Sequence, residues 1–246
     1  MMPTVATAAV VFAGAFAGGV VTGLAGFGTA LVALGFWLYV IDPVAAATLV
    51  AICSVVAQAQ NLPAVWHAVD RNRVGPMIAA GLLGVPVGTM LLSRLDPHVF
   101  RLTLGVLLIA FSGFMLLGRH QPRIAWGGRV ADATVGFAGG ILGGFAGLSG
   151  PLPTVWATLR GWSKDERRGV FQVFNLAILA AVVVWHAVRG LLTVEVLWLA
   201  AAALPATILG AWLGVRAYLR LSDRHFQRVV LCLLALSGVT LVWANI

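Results

Sequence analysis

The chain has 246 residues, of which 61% are hydrophobic before its 29 glycines are counted and only 10% are charged. A water-soluble domain is about 45–50% apolar with glycine included and about 25% charged, so a soluble enzyme, a secreted disulfide scaffold and a disordered chain are excluded together. The net charge of +8 does not point to nucleic acid, because the positive residues sit in short loops between apolar runs, where the positive-inside rule puts them.

In chain order, apolar runs cover residues 5–22, 29–41, 44–69, 74–92, 99–117, 130–146, 151–159, 169–188, 194–215 and 226–243. They do not alternate polar and apolar positions, so a membrane β-barrel is excluded and the fold class is an all-α polytopic membrane protein. Most runs approach the ~20 residues that cross a bilayer; residues 29–41 and 151–159 are too short. No Lys or Arg precedes the first run, so it is expected to stay as a span and not to be a cleaved signal. Asp42-Pro43 and Asp96-Pro97 place a capping acid before a first-turn proline. Ser163 and Glu166 have capping-box spacing, and Ser222 is placed to start the last helix. Asp42, Asp96 and Asp165 are therefore read as helix caps and not as catalytic acids. Cys53 and Cys232 lie inside apolar runs and are read as buried small residues; two cysteines are too few for a cysteine-based metal cluster. No cofactor or metal is expected.

Charge sets the expected orientation. If the loop with Arg119, Arg123 and Arg129 is cytoplasmic, alternation places Arg71, Arg73, Arg160, Lys164, Arg167, Arg168, Arg216, Arg220, Arg224 and Arg228 on the same side. That is 13 of the 16 Lys plus Arg; only Arg94, Arg101 and Arg189 fall outside. The bias fixes the cytoplasmic face and puts both termini outside.

The sequence also repeats. Phe16-Ala17-Gly18-Gly19 returns as Phe137-Ala138-Gly139-Gly140, and Gly23-Leu24-Ala25-Gly26 returns at the same offset as Gly144-Phe145-Ala146-Gly147. Trp66-His67-Ala68-Val69 returns as Trp185-His186-Ala187-Val188, with Pro86 matching Pro205, and Phe111-Ser112-Gly113 is echoed by Leu236-Ser237-Gly238. The expected organisation is a first repeat over residues 1–118, a cytoplasmic linker over 119–129 and a second repeat over 130–246. Each repeat has five apolar segments. An odd number inverts the second repeat, an arrangement used by secondary transporters that bind near the midplane. Eight to ten helices are expected, depending on whether the short segments span or re-enter.

The short segments follow glycine clusters, at residues 23–28 and 143–150. Irregular backbone at membrane depth is tolerated where it lines a cavity or is buried in protein. A broken, re-entrant hairpin in each half, with its tip near the midplane, meets that condition. At each tip a helix starts, offering N–H donors and about half a positive charge, which suits a small anion. Gly18, Gly19, Gly139 and Gly140 are read as packing positions. The candidate anion site is Gly23, Gly26, Phe27, Gly28 and Thr29 with Gly144, Gly147, Ser149, Gly150 and Pro151, Ser149 serving as N-cap and Pro151 as first-turn residue. Gln58 and Asn61, and Gln172 and Asn175, each lie three apart on one helix face; such polar residues inside spans face a cavity or another helix. His67 and His186, beside tryptophans, are read as interface anchors. No Asp or Glu is placed near the middle of a span, and no fixed cation within one.

These motifs resemble the TauE/SafE (TSUP) family of sulfite and organosulfonate exporters. The resemblance rests on residues 23–28, Gly-Leu-Ala-Gly-Phe-Gly, and on residues 144–151, Gly-Phe-Ala-Gly-Leu-Ser-Gly-Pro, followed by Arg160-Gly161-Trp162 and Arg167-Arg168. Pro205 ahead of Gly210 and Gly214 also fits. The first half departs from the Gly-Gly-Gly-Pro run of many members, having Gly28-Thr29-Ala30. The resemblance implies a transporter of sulfur-containing anions such as sulfite, thiosulfate or organosulfonates in the bacterial inner membrane. The partners implied are that anion and the lipid bilayer, with a homodimer left open. Two rivals stand beside it. One is a passive anion channel on the same fold. The other is a rhomboid-like intramembrane serine protease, suggested by Gly147-Leu148-Ser149-Gly150 with His186 as base.

Overall fold

The computed structural model describes residues 5–64, 66, 69–117, 124, 126–218, 231, 235, 236 and 238–243. His67, Arg119, Arg123, Arg220, Ser222, Arg224, Arg228 and Cys232 lie outside the described residues, as does the side chain of Asp165. Every regular element among the described residues is helical: α1 (Val5–Ala25), α2 (Thr29–Trp37), α3 (Pro43–Asn61), a single 3-10 turn (Leu62–Ala64), α4 (Arg71–Arg94), α5 (Pro97–Leu117), α6 (Gly128–Ala146), α7 (Pro151–Leu159), α8 (Lys164–Val188) and α9 (Val194–Tyr218). Residues 238–243 are helical as well. Six of these helices are long and apolar enough to cross a membrane.

The helix starts follow the local chemistry. Asp42 caps α3, its Oδ1 accepting from the N–H groups of Val44 and Ala45, and Pro43 opens the helix. Asp96 accepts from His98 N at the start of α5. Ser163 and Glu166 form the reciprocal capping box of α8. Asp70, which the spacing did not single out, caps α4.

The two short segments are nine-residue helices. At 1.5 Å per residue each is about 13 Å long, less than half of a ~30 Å hydrocarbon core. Each folds back on the helix before it. Along the first hairpin, Gly18 of α1 faces Thr29 and Gly14 faces Phe36 and Trp37, so α2 runs back along α1. The indole of Trp37 donates to Val11 O at 3.1 Å. In the second hairpin the indole of Trp156 in α7 donates to Asp132 Oδ1 of α6 at 2.7 Å. Both hairpins are thus stapled at the stem by a tryptophan of the short helix, and the buried Asp132 carboxylate serves that staple.

Long helices pack through glycine seams. In α1 against α9, Gly19 meets Thr207 O, Gly23 meets Ala211 O, Gly210 meets Phe16 O and Gly214 meets Val20 O. In α4 against α6, Gly84 meets Phe137 O, Gly88 meets Ile141 O, Gly136 meets Met77 O, Gly140 meets Gly81 O and Gly144 meets Val85 O. A Cβ at any of these would run into the partner's backbone, so the small residue is what lets the helices approach. One helix of each seam carries an internal proline, Pro86 in α4 and Pro205 in α9. Gly23 and Gly144, expected at the anion site, are seam residues here.

One end of the bundle gathers positive charge. Arg73 bridges Asp70 at 3.1 Å and Glu166 at 3.2 Å, joining the starts of α4 and α8. Arg160 donates to Trp126 O at 2.8 Å, fastening the linker to the end of α7.

Candidate functional site

The two tips meet over a small cavity lined by Thr22, Phe27, Gly28 and Thr29 from the first hairpin, Gly147, Ser149, Gly150 and Pro151 from the second, Ser54 and Gln58 from α3, and Asn175 and Leu179 from α8, among others. It has room for about one water molecule. Tight apolar contacts hold the tips together. A Cβ on Gly150 would lie 2.8 Å from the Phe27 ring, and one on Gly147 would lie 2.5 Å from Val50 Cγ1. Phe27 is itself set edge-on against Phe111 and Phe171, at centroid distances of 6.0 and 6.3 Å.

The first tip turns through Gly28 at φ +125°, a backbone conformation essentially reserved for glycine. Gly28 is the N-cap of α2 and offers no side-chain cap. The N–H groups of Thr29, Ala30 and Leu31 therefore lack helical partners at the cavity wall. Thr22 and Thr29 share a hydrogen bond of 2.7 Å that closes the tip on itself.

The second tip is different. Gly147 ends α6 with φ +68°. Gly150, at φ −77°, is the N-cap of α7, again without a side-chain cap. Ser149 is therefore not the cap that its position suggested: its hydroxyl donates to Asn175 Oδ1 at 2.8 Å. Pro151 opens α7 as expected, and Pro153 follows two residues later. Neither proline has an N–H, so this helix start presents fewer donors than α2.

The polar residues of α3 and α8 complete the wall. Gln58 Nε2 donates to Gly26 O at 3.0 Å. Gln58 Oε1, Asn175 Nδ2 and both amide atoms of Asn61 and Gln172 are buried with no hydrogen-bond partner among the described residues. Gln58 and Asn175 line the cavity; Asn61 and Gln172 are buried beside it without lining it. Of the expected site residues, the cavity brings together Phe27, Gly28, Thr29, Gln58, Gly147, Ser149, Gly150, Pro151 and Asn175. Gly26 is behind it, against the Arg168 stem.

Arg168 corrects the expectation that no fixed cation enters a span. It lies within the candidate span Glu166–Val188 and is 6% exposed. Its guanidinium donates to Gly23 O at 2.8 Å and to Leu24 O at 3.4 Å, the carbonyl end of α1. A cation there complements the negative end of the helix dipole and ties the first tip to α8. The signal was present in the sequence: Arg168, Gln172 and Asn175 follow i, i+4, i+7 spacing, as do Ser54, Gln58 and Asn61. Extending either glutamine–asparagine pair by one turn finds the missed residue. Thr22 had no such signal, since only the hairpin brings it to Thr29.

His186, two residues before the end of its candidate span, is fully buried in the protein, with Nδ1 2.9 Å from Thr48 Oγ1 of α3. The serine–histidine pair of the protease reading is not formed, because Ser149 is engaged with Asn175 and His186 with Thr48.

The sequence profile of the sulfite exporter TauE/SafE family matches residues 10–241. The chain belongs to that family. Nothing among curated proteins or solved structures matches it. TauE/SafE membership makes the chain a multi-pass membrane protein of a transporter family whose named cargo is a sulfite-type anion.

Proposed function

We propose that the protein is a secondary transporter, acting as an exporter, of small sulfur-containing anions such as sulfite, thiosulfate or organosulfonates, bound between the two hairpin tips. The observation that carries this reading is the cavity itself: two helix starts without side-chain caps meet unpartnered, buried amide atoms of Gln58 and Asn175. Helix starts supply positive potential, and polar groups buried without partners are what a ligand would satisfy. The cavity is too small for an oxyanion as it stands, so the tips must part to load one, as alternating access requires.

The same reading takes residues 1–118 and 130–246 as inverted repeats. In its support, the first helix of each half packs on the fourth helix of the other, α1 on α9 and α6 on α4. The charged end is then cytoplasmic, both termini are outside, and the membrane is the bacterial inner membrane. Purified protein in liposomes should move labelled sulfite, and unlabelled sulfite on the far side should accelerate that movement. Acceleration distinguishes a carrier from a channel; absence of any flux would remove the transport reading. For orientation, single cysteines at Gln121 and Asn245, in a background lacking Cys53 and Cys232, should react differently in intact cells. An impermeant thiol reagent should reach 245 and not 121, and the reverse would invert the topology.

A further inference from the structure

We infer that the site takes its anion in a singly charged form that carries one hydrogen-bond donor, a hydrogen oxyanion as opposed to a fully deprotonated one. The inference rests on the transport reading above and narrows its cargo to hydrogen sulfite and donor-bearing sulfonates; thiosulfate, a donorless dianion at neutral pH, is left out.

Hydrogen-bond polarity is the first ground. Gln58 Nε2 donates to Gly26 O at 3.0 Å, and a carbonyl can only accept, so the orientation of the amide is fixed. The atom left without a partner is Oε1, an acceptor on a side chain 2% exposed that lines the cavity. The same cavity is lined by donors: Asn175 Nδ2, whose companion Oδ1 accepts from Ser149, and the first N–H groups of α2. A fully deprotonated oxyanion has acceptors only. Held by the donors, it would turn a lone pair toward Gln58 Oε1. An anion with one O–H satisfies both walls.

Charge is the second ground. No Lys, Arg, Asp, Glu or His is among the described residues that line the cavity. Four titratable groups on the neighbouring helices are engaged elsewhere. Arg168 of α8 holds the Gly23 and Leu24 carbonyls, His186 of α8 meets Thr48, Asp132 of α6 meets Trp156, and Cys53 of α3 meets Thr207. Two helix starts, each worth about half a charge, match one negative charge, the Arg168 guanidinium being committed to the carbonyl end of α1.

The test uses two sulfonates that keep the same single charge across the working pH range. Hydroxymethanesulfonate carries an O–H donor and methanesulfonate does not. Binding to the purified full-length protein is measured by calorimetry, with sulfate as a donorless dianion. Sulfite is measured below and above its second ionisation. Hydroxymethanesulfonate should bind at least about tenfold more tightly than methanesulfonate, because a site built around a ligand hydroxyl rejects the analogue lacking it. Sulfate should bind weakest. Sulfite should weaken on passing to the dianion while hydroxymethanesulfonate does not, which separates the ligand's titration from the protein's. Gln58→Leu should erase the sulfonate preference; should that variant fail to fold, the pair on the parent protein still decides. Equal binding of the two sulfonates, or tighter sulfite binding as the dianion, overturns the inference and leaves transport standing. That result would mean the two amide atoms are bridged by a structural water. If no anion binds and none is moved, both readings fall.

Discussion

The two hairpin tips close on one cavity yet are built on different principles. The first is held from outside itself: Gln58 reaches Gly26 O from α3, and Arg168 reaches Gly23 and Leu24 from α8. Its turn requires a glycine at φ +125°, and its short helix starts with three N–H groups and no cap. The second tip is tied through the Ser149 hydroxyl to Asn175 of α8, with Thr89 of α4 donating to Gly144 O at 3.5 Å. Its N-cap glycine has ordinary right-handed backbone angles, and prolines at 151 and 153 remove two of its donors. A repeated sequence motif is therefore built asymmetrically: the first helix start has three N–H groups without helical partners, whereas the second has prolines in its first turn and rests on Phe27.

The strongest way to break that comparison is to substitute alanine at the matched glycines. Gly28→Ala must hold a Cβ at φ +125°, 2.7 Å from Val21 Cγ1; backbone strain of this kind costs about 1–3 kcal/mol. Sulfite flux in liposomes should fall about tenfold or more, normalised to the amount of folded protein. Gly150→Ala meets only the Phe27 ring, at 2.8 Å, in an allowed backbone conformation. Its loss should be a few-fold, within the overpacking range of about 1–3 kcal/mol. Equal losses would mean that both tips carry the anion alike, and a larger loss at Gly150 would assign the donors to the wrong tip.

A second substitution sharpens the same contrast by releasing the first tip. Arg168→Lys keeps the charge but cannot span two carbonyls with a planar fork. Hydrogen bonds from a charged group contribute about 1.5–3 kcal/mol, so the unfolding midpoint should drop and flux should fall by several-fold. Arg160→Lys, at the end of α7 and bonded to the linker carbonyl of Trp126, should leave flux near the parent level. If Arg168→Lys matches the parent in both stability and flux, the tether is not what positions the tip.

Much of this architecture was legible before the structure because membrane helices announce themselves by length and by their interruptions. The two short segments, Asp42-Pro43, the Ser163/Glu166 box and the polar pairs on α3 and α8 follow from local spacing, although α2 ends at Trp37 while its apolar run continues to Ile41. Residues whose role depends on a partner from another segment were not legible. Gly23 and Gly26 share one motif, but the seam with Ala211 decides the role of the first and the Arg168 stem borders the second. Arg168 reads as a loop charge because α8 starts only four residues earlier, and nothing local shows that the end of α1 reaches it. The tryptophan beside His186 says nothing of Thr48 on α3, which the imidazole meets in the interior.

The mildest perturbation bears on the second tip alone. Ser149→Ala removes the hydroxyl that reaches Asn175 Oδ1 and leaves Gly150 as the helix cap it already is. The side chain is buried and its partner lines the cavity, where a water can take the vacated position. The cost is then at the low end for a buried hydrogen bond, about 1 kcal/mol, and should appear as a small drop in unfolding midpoint. Flux should remain within about twofold of the parent, because the Ser149 hydroxyl, engaged with Asn175 Oδ1, is not among the donors proposed to hold the anion. A serine nucleophile gives the opposite expectation: its removal abolishes turnover. Incubation of the parent protein with a fluorophosphonate should leave Ser149 unmodified, since His186, the base such a reaction would need, is engaged by Thr48 on α3. Covalent labelling of Ser149, or loss of all activity in the alanine variant at normal folding, would assign to this tip a chemistry that its hydrogen bond to Asn175 does not support.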